Sequence, residues 1–426
     1  MISTEKGYDV IVVGGGASGL MAAGRAAERG KRVLLLEKNK KLGEKLRISG
    51  GGRCNITNAE EDPRVFLRAY GKAEQFLYSL FSQFGVKDTF SFFESRGLPL
   101  VVEARKRAFP KTQKAEDVVK VLERYVHAGR VTIKTGSPVT KIEATKEGIV
   151  SVSSRKDTYR AADYIFATGS VSHPETGSTG DGLKWLTDLG HIVLSPTPTI
   201  VPLAVKEEWC KEISGVSLSF MKVTFFTEGK PFYNAQGKKA FSKKGKILFT
   251  HFGLSGPLIL NSAEKVADLL HTGVVTATID PYPDTDLGAF DRRIVAVFDK
   301  NKNKAFKNVV EDLVPNGMGK GITILFAEKL DMDKKVHSIS KEERKYIVHT
   351  LKALPLTITG LMGFDRAVVA DGGVDLKEID TRTMRSKKVP NLFITGDLLH
   401  INRPSGGFSL QLCWSSGYVA GSHAGE

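Results

Sequence analysis

The first part of the chain alternates between short apolar runs and one longer mixed run, which predicts a strand, a helix and a second strand. Tyr8–Val13 is β-branched and bounded by glycine, as is typical of a buried parallel strand. Residues 17–29 are rich in alanine and carry apolar side chains on one face, which predicts a helix ending before Gly30. Val33–Leu36 is again fully apolar. The segment is therefore predicted to form a βαβ unit.

The rest of the pattern predicts further helices and strands, with a proline-rich crossing between domains at 195–202. Helices are predicted at 64–84, 115–129, much of 289–353 and from Gly407 onward, and strands at 131–136, 139–154, 164–169, 216–230, 246–253, 368–374 and 391–397. This order predicts an α/β fold in which one domain comes from both chain ends, 1–194 and 366–426. A β-rich domain (195–288 and 354–365) and a helical domain (289–353) are inserted into it.

A glycine fingerprint follows the first strand and opens the first helix, in the pattern GxGxxG. Gly14 permits the tight turn, Gly16 lets the backbone approach a pyrophosphate, and Gly19 lets helix and strand pack closely. Glu37 ends the second strand, where a carboxylate accepts hydrogen bonds from ribose hydroxyls and disfavours a 2′-phosphate. These residues predict a bound dinucleotide, either FAD or NAD.

Three later segments favour FAD over NAD. The loop RISGGGRCNITN (47–58) combines three glycines with polar side chains, which suits a loop laid along an extended ligand. Small residues at ATG (167–169) end a buried strand, and NLFITGD (391–397) ends another in an acid suited to the ribityl hydroxyls. We therefore predict non-covalently bound FAD.

Charge and cysteine content narrow the possible partners. The net charge of +15 comes from basic residues spread over 38–47, 238–246 and 300–307, without interleaved aromatic residues or a known nucleic-acid motif. A solvated basic surface is the favoured interpretation, and contact with RNA is the alternative. Three widely separated cysteines predict neither a disulfide framework nor a metal site. With no apolar run of membrane length and no signal-peptide pattern, we expect a cytoplasmic protein that does not contact membranes.

The chain resembles bacterial flavoproteins of the NAD(P)/FAD-dependent oxidoreductase family, in the aminoacetone-oxidase-like group. The resemblance rests on motifs that occur in order along the chain: SGGGRCNITN (49–58), ATGSVSHPETGSTGDG (167–182), FTHFGLSGPLIL (249–260), ADGGV (370–374) and GDLLHINRPSGGFSLQLCWSSG (396–417). Ser409 departs from the usual family pattern, in which an asparagine follows the aromatic residue.

The resemblance implies an FAD-binding Rossmann-like domain interrupted by a β-barrel-like domain and a helical domain. It also implies which residues contact the cofactor: Val13, Gly14, Gly16, Ala17, Ser18, Gly19, Glu37, Lys38, Gly52, Arg53, Cys54, Asn55, Ala167, Thr168, Gly169, Gly396 and Asp397. A helix N-terminus is implied at the isoalloxazine ring, through Gly406, Gly407, Phe408 and Gln411.

The sequence offers fewer candidates for catalytic groups than for cofactor contacts. His173, His251 and His400 each follow a motif and are candidates for a proton donor near a substrate carbonyl, although a hydrogen-bonded loop histidine is the simpler interpretation. Cys54 is interpreted as a small buried cysteine rather than a redox thiol, because no CxxC partner exists.

The expected function is that of an FAD-dependent oxidoreductase acting on a small organic substrate, with hydride transfer through the flavin N5. No second GxGxxG is present, so NAD(P)H is expected to serve only as a transient donor. The alternatives are a flavin oxidase of a small amine, a flavin-dependent tRNA modifier and a non-catalytic flavin redox sensor. A hydrolase is excluded because Ser255 lacks a GxSxG elbow.

Overall fold

A computed structural model of the chain describes residues 7–155, 157–227 and 237–426. The chain forms two compact units, the first from Met1–Pro198 with Val368–Glu426 and the second from Thr199–Ala367. The first unit therefore comes from both chain ends, with boundaries within four residues of those predicted. The predicted β-rich and helical domains together make up the second unit.

The strands of the described residues are numbered in chain order: β1 (Tyr8–Val13), β2 (Val33–Leu36), β3 (Thr57–Asn58), β4 (Leu100–Glu103), β5 (Arg107–Pro110), β6 (Thr132–Lys134), β7 (Val139–Thr145), β8 (Gly148–Ser154), β9 (Asp157–Tyr159), β10 (Ala161–Phe166), β11 (Val193–Thr199), β12 (Leu203–Val205), β13 (Ser217–Thr227), β14 (Lys238–Thr250), β15 (Gly253–Ser255), β16 (Val275–Asp280), β17 (Leu354–Leu361), β18 (Val369–Val374) and β19 (Leu392–Ile394).

The helices are α1 (Ala17–Glu28), α2 (Glu44–Gly52), α3 (Pro63–Arg68), α4 (Glu74–Gln83), α5 (Val86–Glu94), α6 (Ala115–Ala128), α7 (Asp181–Asp188), α8 (Glu208–Glu212), α9 (Pro257–Leu260), α10 (Ala263–Thr272), α11 (Leu287–Lys300), α12 (Val310–Leu313), α13 (Gly319–Ala327), α14 (Lys341–Lys352) and α15 (Phe408–His423). Among the described residues, no helix is both long and apolar enough to cross a membrane.

A parallel five-stranded sheet forms the centre of the first unit, in the order β19-β10-β1-β2-β6. The residues of β2 are all buried, as are the last four of β1 and of β10, because a parallel sheet is covered on both faces. The chain thus has the predicted α/β class, and β19 adds a strand from near the C-terminus to a sheet begun at the N-terminus.

Helices α1 and α15, which are far apart in the sequence, pack closely in this unit because glycines of α15 face the backbone of α1. A Cβ on Gly417 of α15 would lie 2.3 Å from the carbonyl oxygen of Ser18 in α1, and one on Gly421 would lie 2.3 Å from that of Ala22. Only glycine permits this approach, so α15 packs directly on the helix that follows the fingerprint.

The sequence prediction was wrong for the segment 64–84 and missed several short elements. The predicted single helix is divided into α3 and α4 around Gly71, whose φ of 53° is left-handed. The antiparallel sheet β3-β5-β4 was not predicted. Its strands have only two to four residues each, and β3 pairs with β5 across some 50 positions, so the local pattern carries little signal.

The second unit contains a closed barrel in the order β12-β15-β14-β13-β16-β17. Met221, Val223 and Phe225 alternate as buried residues along β13, as the sequence pattern predicted. Barrel residues share one buried cluster with residues of α11, α13 and α14, such as Phe290 and Phe326. That common core explains why the barrel and the helices form one compact unit.

Strand bounds in the barrel differ from those predicted. The basic stretch 238–246, interpreted as surface, forms the first part of β14, so the strand predicted at 246–253 begins eight residues earlier. Residues 228–230 of the other predicted strand lie outside the described residues.

Candidate flavin site at the carboxyl edge of the parallel sheet

Four neighbouring parallel strands bring predicted site residues to one edge of the sheet. Gly14 follows β1, Glu37 follows β2, Ala167 to Gly169 follow β10, and Gly396 and Asp397 lie just beyond β19. Because carboxyl ends of parallel strands meet at one edge, these distant segments lie together. The backbone joins them directly, since the Gly14 N–H donates to the Leu36 carbonyl oxygen (2.8 Å) and the Ala167 N–H to that of Val13 (2.9 Å).

Each glycine of the fingerprint has a different steric role. A Cβ on Gly14, whose φ is 107°, would lie 2.5 Å from the Ala167 carbonyl oxygen, and one on Gly19 would lie 1.9 Å from that of Gly14. Gly16 has open space at its Cβ position and is the N-cap of α1 without a side-chain cap. The first backbone N–H groups of α1, which include those of Ala17 and Ser18, are therefore available to an anionic group.

Glu37 is buried at the end of β2, with 7% of its surface exposed. One carboxylate oxygen accepts from the Gly15 N–H at 2.6 Å and the other from the Asn39 N–H at 2.7 Å. Burial raises the pKa of Glu37, and these backbone donors oppose the rise. Each oxygen keeps acceptor capacity toward a hydroxyl, which is what a ribose contact requires.

Lys38 lies next to Glu37 but is engaged with the loop before α7. Its ammonium group donates to the Thr179 hydroxyl at 2.5 Å and to the Asp181 carboxylate at 2.8 Å. The side chain therefore ties β2 to the 170–181 loop.

The glycine-rich loop predicted at 47–58 begins within α2, whose last residues have a non-helical backbone that glycine adopts readily. Gly50, Gly51 and Gly52 all have left-handed φ values, and a Cβ on Gly51 or Gly52 would meet open space. Arg53 points away to β4 and β5, stacking over the Phe109 ring at 4.1 Å and pairing with Glu103 at 3.0 Å.

Cys54 is fully buried, and burial raises its pKa to about 12. Its thiol therefore stays protonated at neutral pH, in keeping with the predicted structural role.

The end of the glycine-rich loop holds the N-terminus of α15. With its amide oriented to suit its neighbours, Asn55 accepts from the Gly407 N–H at 2.9 Å. A Cβ on Gly407 would lie 2.2 Å from the Thr57 carbonyl carbon, and the Asn58 amide donates to the Gly406 carbonyl oxygen at 3.3 Å. Two predicted site segments are thus brought together.

Two predicted cofactor residues of α15 have side chains that contact neighbouring elements of the first unit, Gln411 fully buried and Phe408 partly buried. The Gln411 amide oxygen accepts from the Thr57 hydroxyl at 2.6 Å and the Thr89 hydroxyl at 2.9 Å, and the side chain is fully buried. The Phe408 ring packs 4.8 Å from the Phe66 ring. These contacts fix the start of α15.

A buried cationic group that the sequence analysis missed lies beside Asp397. Arg403 pairs with the Asp397 carboxylate, and its guanidinium also donates to the Ile401 carbonyl oxygen at 2.6 Å and to the Ser409 hydroxyl at 3.1 Å. Ser409, the departure from the family pattern, therefore has a defined partner.

Lys45 is the second missed cation. Its ammonium group donates to the Ser172 hydroxyl at 3.0 Å and lies 4.0 Å from the Cβ position of Gly169. Burial lowers the pKa of Lys45, and the Asp397 charge opposes that shift. Lys45 and Arg403 thus both lie near Asp397 at this edge. Lys45 and Arg403 were hard to recognise from the sequence, because both residues lie in segments already assigned to loops.

The three candidate histidines have different surroundings. His173, with a left-handed φ of 52°, lies 2.8 Å from Glu175 through Nδ1, and His400 lies 3.5 Å from Asp371 through Nδ1. Both are in the first unit. His251 belongs to the second unit, where it is exposed in the turn between β14 and β15.

Comparison with known proteins places this architecture in a family. The model of the HI0933-like protein Rossmann domain matches residues 8–423. The chain belongs to this family. A 3-dehydro-bile acid delta(4,6)-reductase of Clostridium scindens is 26% identical over 97% of this chain and 98% of its own length. A ribosomal RNA dihydrouridine synthase of Haemophilus influenzae is 28% identical over 96% of each chain.

Solved structures share the fold. A 3-ketosteroid-delta4-(5alpha)-dehydrogenase from Rhodococcus jostii is 15% identical with a TM-score of 0.54, covering 100% of this chain and 98% of that one. The open form of a flavocytochrome c3 fumarate reductase is 15% identical with a TM-score of 0.53, covering 99% and 79%. The predicted family of FAD-binding, Rossmann-like oxidoreductases is confirmed.

The residues at the sheet edge fit FAD on steric and chemical grounds. The α1 N-terminus offers backbone donors beside the open position of Gly16, and Glu37 offers acceptors at the end of the neighbouring strand. Gly51 and Gly52 leave open space along the loop that follows. An anionic pyrophosphate, a ribose and an extended ligand each find a matching surface.

Proposed function

We propose that this protein is an FAD-dependent reductase that adds two hydrogens to a carbon–carbon double bond conjugated with a carbonyl group, using NAD(P)H as a transient electron donor. The proposed site is the carboxyl edge of the parallel sheet in the first unit. The observation that carries the proposal is this edge, where Gly16 leaves open space at the start of α1 and Glu37 is buried at the end of β2. It occurs in a chain that is similar over nearly its whole length to a bile acid reductase and to a dihydrouridine synthase.

The proposed substrate class rests on chemistry shared by those names. A delta(4,6)-reductase of a 3-dehydro-bile acid acts on double bonds in line with a ketone, and a dihydrouridine is a uridine reduced at the ring double bond beside a carbonyl. Fumarate likewise has its double bond between carboxyl groups. In each case the carbonyl withdraws electrons from the double bond, which makes one carbon a hydride acceptor.

The proposal gives each group of residues a task. When bound and reduced by NAD(P)H, FAD would supply a hydride from its N5 to the double bond. The α1 N-terminus and Glu37 hold the pyrophosphate and ribose. Lys45 and Arg403 contribute positive charge where negative charge develops during reduction, with Asp397 fixing Arg403. His173 and His400 are the candidate proton donors to the second carbon, each beside a carboxylate.

NAD(P)H is proposed as donor without a binding domain of its own. The sequence contains a single GxGxxG, and that fingerprint is assigned to FAD. A nicotinamide nucleotide would then bind briefly and weakly, attracted by the net charge of +15. Because that attraction is screened by ions, reduction by NAD(P)H should slow as salt rises.

The test is an anaerobic acceptor panel with NADH or NADPH: a 4-ene-3-ketosteroid, fumarate, uridine and a uridine-containing RNA fragment, with product masses measured. We expect at least one conjugated acceptor to gain two hydrogens. As a matched control, the saturated ketosteroid should not react. If no acceptor is reduced while a small amine or hydroxy compound bleaches the flavin, the protein is an oxidase and the proposal is wrong.

RNA is the second candidate substrate, because ribosomal RNA dihydrouridine synthases of Haemophilus influenzae and Escherichia coli are 28% and 26% identical over nearly the whole chain. The same panel separates the two: RNA reduced in preference to free uridine and to the ketosteroid indicates an RNA-modifying enzyme. Flavin reduction without turnover of any acceptor would instead favour the redox-sensor alternative.

A further inference from the structure

An arginine-lined pocket lies where α1 and α6 end, in the first unit. Its volume is about 600 Å³, and it is lined by Gly24, Ala27, Glu28, Arg96, Val121, Arg124, Tyr125, Ala128, Gly129 and Arg130. The fingerprint is at the opposite end of α1, whose first residue, Ala17, precedes Gly24 of the pocket by seven residues, which at 1.5 Å per residue is roughly 10 Å. The pocket is therefore separate from the proposed flavin site.

The floor of the pocket depends on small residues. A Cβ on Gly24 would lie 2.2 Å from the Tyr125 ring, and one on Gly129 would lie 2.6 Å from the Ala27 Cβ. Larger residues at either position would push α1 and α6 apart. The two helices thus approach closely beside the pocket, whose lining includes Tyr125 and three arginines.

Arg96 is held rigidly in this pocket. Its guanidinium lies 4.1 Å from the centre of the Phe92 ring and 4.7 Å from that of Tyr125, and it donates to the Phe92 carbonyl oxygen at 3.2 Å. Stacking of this kind fixes the plane of the guanidinium before any ligand arrives. Arg124 is linked to it, donating to the Arg96 carbonyl oxygen at 3.3 Å.

Positive charge in the pocket exceeds negative charge. Glu28 is the lining carboxylate, and it already has partners in Arg25 at 2.7 Å, the Tyr125 hydroxyl at 3.0 Å and Arg96 at 3.6 Å. Within the described residues, no carboxylate lies at ion-pair distance from Arg124 or Arg130, and both are exposed. Two exposed guanidinium groups therefore line the pocket without an ion-pair partner among the described residues.

Arg130 also has an unusual backbone. Its φ is 55°, in the left-handed region that glycine adopts at lower cost, and its N–H closes the turn after α6 by donating to the His127 carbonyl oxygen at 2.9 Å. A side chain at such a position costs backbone energy, and the observed residue places a third arginine at the rim.

We propose that this pocket binds a phosphate group through Arg96, Arg124 and Arg130. Guanidinium groups match phosphate with paired N–H donors, and a preordered Arg96 lowers the entropy lost on binding. The phosphate comes either from a free polyphosphate or nucleotide, or from the backbone of an RNA strand. The site is independent of the proposed flavin chemistry, because none of its residues belongs to the sheet edge.

The test uses FAD-loaded protein and two probes, inorganic tripolyphosphate and a uridine-rich RNA oligonucleotide, at low salt. The double variant Arg124→Glu/Arg130→Glu is compared with Arg292→Glu/Arg366→Glu, which makes the same charge change at exposed arginines outside the pocket. We expect the pocket variant to lose about tenfold or more in affinity, as charged hydrogen bonds are removed, and the control variant to lose little.

The outcomes separate the two sources. If the pocket variant loses affinity for tripolyphosphate alone, the ligand is a free polyphosphate or nucleotide. If it loses affinity for RNA alone or for both probes, the pocket binds an RNA backbone. The Arg124→Lys/Arg130→Lys variant, which keeps the charge but not the paired donors, should bind more weakly than the wild type. The proposal is overturned if the wild type binds neither probe, or if the control variant loses as much affinity as the pocket variant. Flavin content and thermal unfolding of each variant establish that it is folded.

Discussion

Glu37 is the single side chain on which the dinucleotide assignment depends most. Its carboxylate is buried and receives a backbone N–H on each oxygen, so the end of β2, the fingerprint loop and the following turn share one acceptor. Such a group is held in place before a ligand binds, which lowers the cost of forming the ribose contact.

Replacing Glu37 tests that role. Glu37→Arg should abolish FAD retention through gel filtration, and Glu37→Gln should weaken FAD binding by about 1.5–3 kcal/mol, the contribution of a charge-assisted hydrogen bond. Flavin fluorescence titration of the apoprotein gives the affinities. Glu61→Arg, at an exposed position, is the control and should keep its flavin. Full flavin content in the Glu37→Arg protein would show that the ribose assignment is incorrect.

At the scale of single residues, the sequence analysis predicted Glu37 and the fingerprint glycines but missed the cations Lys45 and Arg403. Gly14, Gly19 and Glu37 belong to one local motif, so their spacing alone carries the signal. Lys45, by contrast, has Ser172 as its partner, more than a hundred residues away. The hydrogen bond from Thr57 to Gln411 was equally inaccessible to local pattern, because the two residues lie 354 positions apart.

Among the elements, the contact of α1 with α15 connects the two chain ends. Gly417 and Gly421 lie against the backbone of α1, and the Ser416 hydroxyl accepts from the Gly396 N–H at 3.0 Å. The helix that carries the fingerprint and the turn that carries Asp397 are therefore positioned by the same helix.

A single methyl group at this contact should destabilise the first unit. Gly417→Ala places a Cβ 2.3 Å from the Ser18 carbonyl oxygen, and the forced shift should cost about 1–3 kcal/mol of unfolding free energy. Urea unfolding followed by the fluorescence of buried Trp414 measures it. Gly360→Ala, where a Cβ meets open space, is the matched control. Equal stability of the two variants would argue against close packing at this contact.

The sequence predicted long periodic elements better than short ones. The bounds of α1 and β2 agree with the pattern because each buries a continuous apolar face. The strands β3, β4 and β5 were missed because each has only two to four residues and β3 pairs with the distant β5. Gly71 divides a helix whose apolar period continues across it. Local pattern does not reveal where a chain turns between two helices of similar composition.

At the scale of the whole molecule, residues from both ends of the chain form the proposed flavin site. The β19 strand pairs with β10, and α15 packs on α1, so residues beyond 390 complete a sheet edge begun in the first forty. The sequence analysis predicted that both chain ends form one domain, because the last predicted strand, 391–397, ends in Gly-Asp. The substrate lies beyond such inference, because relatives named for a bile acid and for ribosomal RNA share this architecture.

The central claim is that electrons pass from NAD(P)H through one FAD to a conjugated double bond, and a two-step anaerobic stopped-flow experiment tests it directly. The protein is first mixed with excess NADH or NADPH while the flavin band is followed, and the reduced protein is then mixed with an acceptor from the panel. The account predicts bleaching with weak saturation at a rate that falls with salt, and then recovery of the band by a conjugated acceptor but not by its saturated counterpart. A flavin that neither nucleotide bleaches, or that recovers equally with both acceptors, would contradict it.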